Sequence, residues 1–164
     1  MTLKLLQPWF AAGLHFSCTG CGNCCTGGPG FIWINDQELG RLAAFLKMSV
    51  QEVQQKYCHR IGRKLSLNEK KPNARGEYDC IFLKEVPAGT ELNGQKLTIT
   101  KRICEIYPVR PLQCRTWPFW DENLFTPEDW ASAAAKRCPG MNAGQKKSKD
   151  WIIARRDATE WPAD

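Results

Sequence analysis

The stretch FSCTGCGNCCTGG, Phe16 to Gly28, places Cys18, Cys21, Cys24 and Cys25 within eight consecutive positions. Cys18 to Cys21 is a C-x-x-C step whose second cysteine lies between Gly20 and Gly22. Glycines tolerate the positive φ that turns two thiolates toward one ion while backbone N–H groups face the sulfurs. Cys21 to Cys24 repeats the step at once. Three thiolates at intervals of three suit either a tetrahedral ion or an iron–sulfur cluster. Cys25 is expected to point elsewhere, because the short peptide between adjacent cysteines makes their side chains diverge. Adjacent cysteines would then serve two ions, or one ion and its surroundings.

The remaining cysteines are Cys58, Cys80, Cys104, Cys114 and Cys138, nine in all. A disulfide framework is disfavoured, since such scaffolds use even counts in short secreted chains. Cys58 reads as a core residue, because Val50, Val53, Tyr57 and Ile61 recur around it at helical spacing. The other eight match two four-cysteine sites or a bridged two-metal cluster. His15 and His59 are further candidate ligands, but sulfur donors already suffice, and hydrogen bonding is the simpler role for each ring.

The chain has 164 residues, 43% of them apolar, and mean hydropathy −0.44, the size and balance of one domain. Pro8 and His15 interrupt the apolar opening, so a signal sequence is not expected and the cytoplasm is the default compartment. No apolar run approaches the roughly 18 residues of a membrane span. The formal charge of +6 counts cysteines as neutral. Eight thiolates on two divalent ions would bring it to about +2, and lysine and arginine look scattered apart from Lys146, Lys147 and Lys149. Nucleic acid is therefore not an expected partner.

The expected fold is α+β: a small single domain with short helices, a β-hairpin and a loop-rich core ligated by cysteines. TGGPGFIWI reads as a Gly/Pro loop entering a strand, and without G-K-[ST] it is not a phosphate loop. Asn35 or Asp36 starts a helix with Leu39, Leu42, Ala43 and Leu46 inward and Glu38 and Arg41 nearer the surface. Ser49 and Glu52 start a second. LSLNEKKPNARGEYDC reads as a polar loop before the strand DCIFLKEV. Asn93-Gly94 marks a hairpin turn, followed by an alternating strand through Leu97, Ile99 and Lys101. That hairpin brings Cys80 and Cys104 toward each other. Pro108 and Pro111 favour a compact turn before Cys114. Thr126, Pro127 and Asp129 start a helix ending near Cys138, and SKDWIIARRDATEWPAD gives a last helix and a frayed tail.

Taken together, CTGCGNCC, Cys80, CEIYPVRPLQCRTWPFW and CPGMNAGQ resemble the CxxCxxCC cysteine-cluster family, also called YkgJ-like and described as zinc- or iron-chelating. The resemblance implies that Cys18, Cys21, Cys24, Cys25, Cys80, Cys104, Cys114 and Cys138 are the metal-binding set, and it leaves Cys58 outside. It also singles out Tyr107, Arg110, Pro111 and Arg115. Arg110 and Arg115 can offset thiolate charge by hydrogen bonding, or simply pair with Glu105 or Asp121. The expected organisation is an N-terminal extension over 1–15, the metal-binding domain over 16–144 and a C-terminal helix and tail over 145–164.

Zinc or iron is the expected cofactor, with an iron–sulfur cluster as the alternative form. Neither H-E-x-x-H nor H-x-E…P-C-x-x-C occurs, so no catalytic residue is assigned. Three functions follow: metal storage, sensing or delivery; an iron–sulfur redox or transfer enzyme; and a zinc-stabilised module presenting Trp117, Phe119 and Trp120 to a protein partner. The same aromatics could instead pack over the metal.

Overall fold

A computed structural model of the chain describes residues 7–158. In chain order its strands are β1 (Leu14–Phe16), β2 (Trp33–Ile34), β3 (Cys58–Ile61), β4 (Lys64–Leu67), β5 (Leu83–Val86), β6 (Glu91–Leu92), β7 (Gln95–Lys96), β8 (Lys101–Cys104) and β9 (Met141–Lys147). Its helices are α1 (Asp36–Leu46), α2 (Val50–Tyr57), α3 (Leu112–Thr116), α4 (Asp121–Leu124), α5 (Pro127–Lys136) and α6 (Lys149–Arg156). The chain has the expected mixed α+β class, with only short antiparallel sheets and no barrel among the described residues. No described helix is long and apolar enough to cross a membrane. The first six residues of the opening segment and residues 159–164 of the expected tail lie outside the described residues.

Contacts divide the chain into two compact units. The unit formed by residues 20–115, central in the sequence, packs Ile34, Leu39, Leu42, Val53, Leu65, Leu67 and Phe82 into one core. Each such side chain, fully buried, stabilises by about 1.5–3 kcal/mol before entropy is counted. Helix α1 starts with Asn35 accepting the Glu38 N–H while Glu38 accepts the Asn35 N–H, and α2 repeats the arrangement with Ser49 and Glu52. Both starts agree with the sequence reading. Glu38 does not: it is buried, not superficial.

The helical period carried too far along the chain at Cys58. Helix α2 ends at Tyr57, whose carbonyl accepts the Asn68 N–H at 2.8 Å, so the backbone turns into β3 and pairs with β4 in the sheet ordered β2-β4-β3. Cys58 is buried as expected, whereas Val50 and Ile61 are exposed. The start of LSLNEKKPNARGEYDC, expected as loop, instead belongs to β4. Its Ser66 is polar yet fully buried, its hydroxyl accepting the Ile32 N–H at 2.9 Å and donating to the Leu67 carbonyl at 3.1 Å.

The Asn93-Gly94 hairpin forms between β6 and β7, with φ of 53° and 77° at the two turn residues, the twist that a two-residue connection needs. The strand expected through Leu97, Ile99 and Lys101 is split. Leu97 accepts the Gly89 N–H and donates to the Thr90 carbonyl, after which the chain leaves Ile99 exposed and resumes pairing as β8. Strand β8 then pairs with β5, Leu83 opposite Cys104.

The second unit comprises the terminal segments, described over residues 7–19 and 116–158. Strands β1 and β9 pair across a bulge at His15/Phe16, and Phe10, Leu14, Phe119, Leu124, Trp130, Met141 and Ile152 form the core. Phe10 and Leu14 come from the stretch expected to be an extension. Thr126 caps α5 with Pro127 at its first turn, as read. The strand MNAGQKK had no apolar alternation to announce it.

Gly140 marks how closely the terminal strands approach: a Cβ there would stand 2.2 Å from the Ser17 carbonyl oxygen, a backbone atom that has nowhere to go. Gly140→Ala is expected to destabilise the chain by about 1–3 kcal/mol. Gly28→Ala, which points into open space, should change stability by less than about 0.5 kcal/mol. Equilibrium unfolding in urea of both variants checks the pair.

Candidate metal centre

The cysteine loop is shaped by backbone bonding. Gly22 takes φ 72° ahead of a single 3-10 turn, Asn23–Cys25, closed by the Cys25 N–H on the Gly22 carbonyl at 3.0 Å. A side chain at Gly22 would meet Leu83 Cδ1 at 2.8 Å and Arg102 Cβ at 3.2 Å, so only glycine lets the loop lie on the β5–β8 ribbon. Arg102 also donates from Nη2 to the Asn23 side-chain oxygen.

The loop is stitched to the next thiol. The Cys80 N–H donates to the Cys25 carbonyl and the Tyr78 N–H to the Gly27 carbonyl, both at 2.7 Å, while Thr26 Oγ1 donates to Asp79 at 2.5 Å. On its other side Cys80 bridges Glu69. The Leu83 N–H reaches the Cys80 carbonyl at 2.9 Å, and Leu83 faces Cys104. The hairpin thus brings Cys80 and Cys104 to one end of the ribbon, as the sequence indicated.

Cys114 arrives on α3, and a residue the sequence reading placed at the surface holds that helix. Glu38 Oε1 accepts the Leu112 N–H at 2.6 Å and lies 3.6 Å from Arg115 Nη2, while its Oε2 accepts the Asn35 N–H at 3.0 Å. Gln113 adds two bonds to the strand entry, accepting the Trp33 N–H at 2.9 Å and donating to the Phe31 carbonyl at 3.1 Å. The sign in the sequence was the Asn35-x-x-Glu38 spacing of a capping box, which fixes Glu38 at the helix start.

Five thiols in the central unit act on one another: Cys24, Cys25, Cys80, Cys104 and Cys114. Cys24 and Cys25 do not diverge; their sulfurs are 3.8 Å apart. The Cys25 thiol is pushed up, first by its hydrogen bond to Cys104, then by Cys24 and by burial. Cys104 is pulled down to about 7, chiefly by accepting that hydrogen bond, with the Ile106 backbone and the charge of Arg110 acting in the same sense against burial. Burial raises Cys80 to about 11. Cys114 is also raised, again by burial, because its thiol is enclosed although the residue keeps some surface.

The proposed helpers separate. Arg110 acts on both Cys104 and Cys114; its Nε donates to the Tyr107 carbonyl at 2.9 Å and its guanidinium sits 3.6 Å above the Tyr107 ring. Arg115 donates to the Arg110 carbonyl at 3.0 Å and faces Glu38. The alternative acids are engaged elsewhere, Glu105 with Lys84 and Asp121 with Arg156.

Other sequence candidates fall outside the five. Cys18 and Cys138 belong to the terminal unit, where the Ser17 N–H donates to the Gly140 carbonyl at 3.1 Å and so ties their two segments together. Cys18 is exposed and Cys138 buried. Cys21 is half-buried in the central unit. His15 Nδ1 lies 2.9 Å from the Gly144 carbonyl and His59 Nδ1 2.9 Å from Asn68 Oδ1, the hydrogen-bonding roles. Phe119 is a core residue of the terminal unit with Trp130 and Trp151 against it, and Trp117 packs edge-on to Trp120, so these aromatics are not an exposed docking set.

Does this donor set suit a metal? Among the described residues no group of three or more His, Cys, Asp or Glu side chains is already spaced to hold an ion. The donors nevertheless have the right chemistry, soft sulfurs gathered beside the cation of Arg110. In a tetrahedron with metal–sulfur bonds of about 2.3 Å the sulfurs stand about 3.8 Å apart, the separation of Cys24 and Cys25.

Residues 17–139 match the CxxCxxCC family model, described as "Putative zinc- or iron-chelating domain". The match covers most of the chain, which therefore belongs to this family of metal-chelating cysteine-cluster domains. No solved structure matches the chain.

Because Glu38 is buried and accepts two backbone N–H groups, Glu38→Ala should cost about 2–4 kcal/mol, while Glu38→Gln, which keeps an acceptor, should cost about half as much. Urea unfolding measures both, and amide exchange at Leu112 should rise in the alanine variant.

Proposed function

We propose that this chain holds zinc or iron through thiolates of the central unit and passes the metal on. Cys25, Cys80, Cys104 and Cys114 supply the enclosed donors. Cys24 is the exposed thiol through which an ion enters or leaves. The observation that carries the reading is the 3.8 Å contact between exposed Cys24 and half-buried Cys25 within a group of neighbouring thiols. A purely structural zinc site is closed and has no use for a fifth, solvent-facing thiol. A fifth donor allows one ligand to replace another while the ion stays bound. Cys21 in the same loop, and Cys18 and Cys138 in the terminal unit, complete the family's proposed eight; no place among the five is assigned to them.

The ligands must lose protons to bind, and the hydrogen bond from Cys25 draws the Cys104 thiol down toward that state. Arg110 supports the resulting negative charge, as cations around a thiolate site do. No carboxylate or histidine beside the group is assigned a role as base, so storage or delivery is favoured over catalysis.

Anaerobic purification followed by measurement of metal and acid-labile sulfide per chain tests the reading. The wild-type chain should carry about one zinc or iron ion or more, Cys104→Ser should retain less than about a tenth of that, and Cys58→Ser should match wild type. Folded wild-type protein without metal, or full metal in Cys104→Ser, would overturn it. Stoichiometric sulfide would replace mononuclear binding by an iron–sulfur cluster on the same thiols.

A further inference from the structure

Basic residues are not scattered after all. Residues 56–75 contain seven lysines and arginines against the single acid Glu69, a local excess of six, equal to the formal charge of the whole chain at +6. All other residues together are balanced. The charged stretch builds the β3–β4 hairpin and the irregular segment that follows it, within the central unit.

Its exposed side is the edge of a sheet. In the order β2-β4-β3, β3 has a neighbour on one side only among the described residues. Gly62, at φ 57°, and Arg63 form the turn, and Ile61 is paired with Lys64. In a two-residue hairpin that closing pair is hydrogen-bonded, and the pattern alternates along the strands. Arg60, opposite Leu65, is therefore a non-hydrogen-bonded position whose N–H and C=O face the open edge. Arg60, Ile61 and Arg63 are exposed, and among the described residues neither arginine makes an ion pair.

A cleft of about 310 Å³ runs beside this edge, between Gln51, Gln54 and Gln55 of α2 and Cys58 to Arg60 of β3. Its lining contains amides, an imidazole and a guanidinium but no carboxylate. Charge on an edge strand commonly guards against self-pairing, and two copies of this basic edge would repel each other. The same charge attracts a strand of opposite sign.

We propose that the β3 edge is a docking site for an extended acidic segment of a partner protein, which adds to the sheet through the Arg60 backbone and sets carboxylates against Arg60 and Arg63. Strand addition gives such a contact its main-chain hydrogen bonds, and the glutamine-lined cleft receives the segment's alternate side chains. The site is independent of the thiol group and of any metal it holds.

Fluorescence anisotropy with the full chain tests this, using a labelled peptide of about twelve residues alternating glutamate and threonine. The chain should bind it, raising salt from about 50 to about 200 mM should weaken binding several-fold, and Arg60→Glu with Arg63→Glu should weaken it at least about tenfold while leaving circular dichroism and metal content unchanged. A glutamate–proline repeat has the same charge, but its prolines carry no backbone N–H and interrupt a strand ladder at every second residue, so it should bind at least about fivefold more weakly. On the protein, the Arg60 amide should gain exchange protection in the complex. Equal binding of the proline repeat would overturn strand addition. Equal or tighter binding of an oligothymidylate or of a lysine–threonine peptide would overturn the choice of an acidic protein segment, and so would failure of the glutamate–threonine peptide to bind.

Discussion

The Cys80 N–H donates to the Cys25 carbonyl at 2.7 Å, and the arrangement of the central unit follows from that bond. It fastens a glycine-rich loop, which has no regular structure of its own beyond one 3-10 turn, to a segment already paired on its other side with Glu69. The loop can lie there only because Gly22 leaves room for Leu83 and Arg102. Two thiols well separated in sequence thereby become neighbours, and the β5–β8 pairing adds Cys104 from the opposite strand. Backbone hydrogen bonds do the gathering, so the sulfurs need no direct bond to one another to be held close.

Thiolates gathered this closely repel one another unless something compensates their charge. Among these five the compensation is a shared proton, retained on Cys25 and donated to Cys104, together with the charge of Arg110. A divalent ion would replace that proton and satisfy several sulfurs at once. The buried Glu38 serves this arrangement from a distance: it spends its negative charge on the Leu112 N–H and on Arg115, fixing α3 and with it Cys114.

Much of this was readable in the chain. The capping residues Asn35, Ser49 and Thr126 act as local chemistry requires, and Asn93-Gly94 makes its turn, because each depends on neighbours a few residues away. What escaped were features that depend on distant partners. Strand β9 is polar and exposed along most of its length and exists because β1 pairs with it from the other end of the chain. Ser66 is buried since its hydroxyl finds backbone partners, and Glu38 since α3 supplies donors. Cys24 and Cys25 were expected to part, but the tight turn after Gly22 brings their sulfurs together. The eight cysteines could be picked out by spacing and family motif; their grouping needed the fold.

X-ray absorption at the edge of the metal bound by the purified chain tests the central claim most directly, because it reads the donor atoms without disturbing them. The account predicts a first shell of sulfur alone, about four scatterers at about 2.3 Å. A shell dominated by nitrogen or oxygen would contradict it, since no arrangement of the five thiols could produce that result.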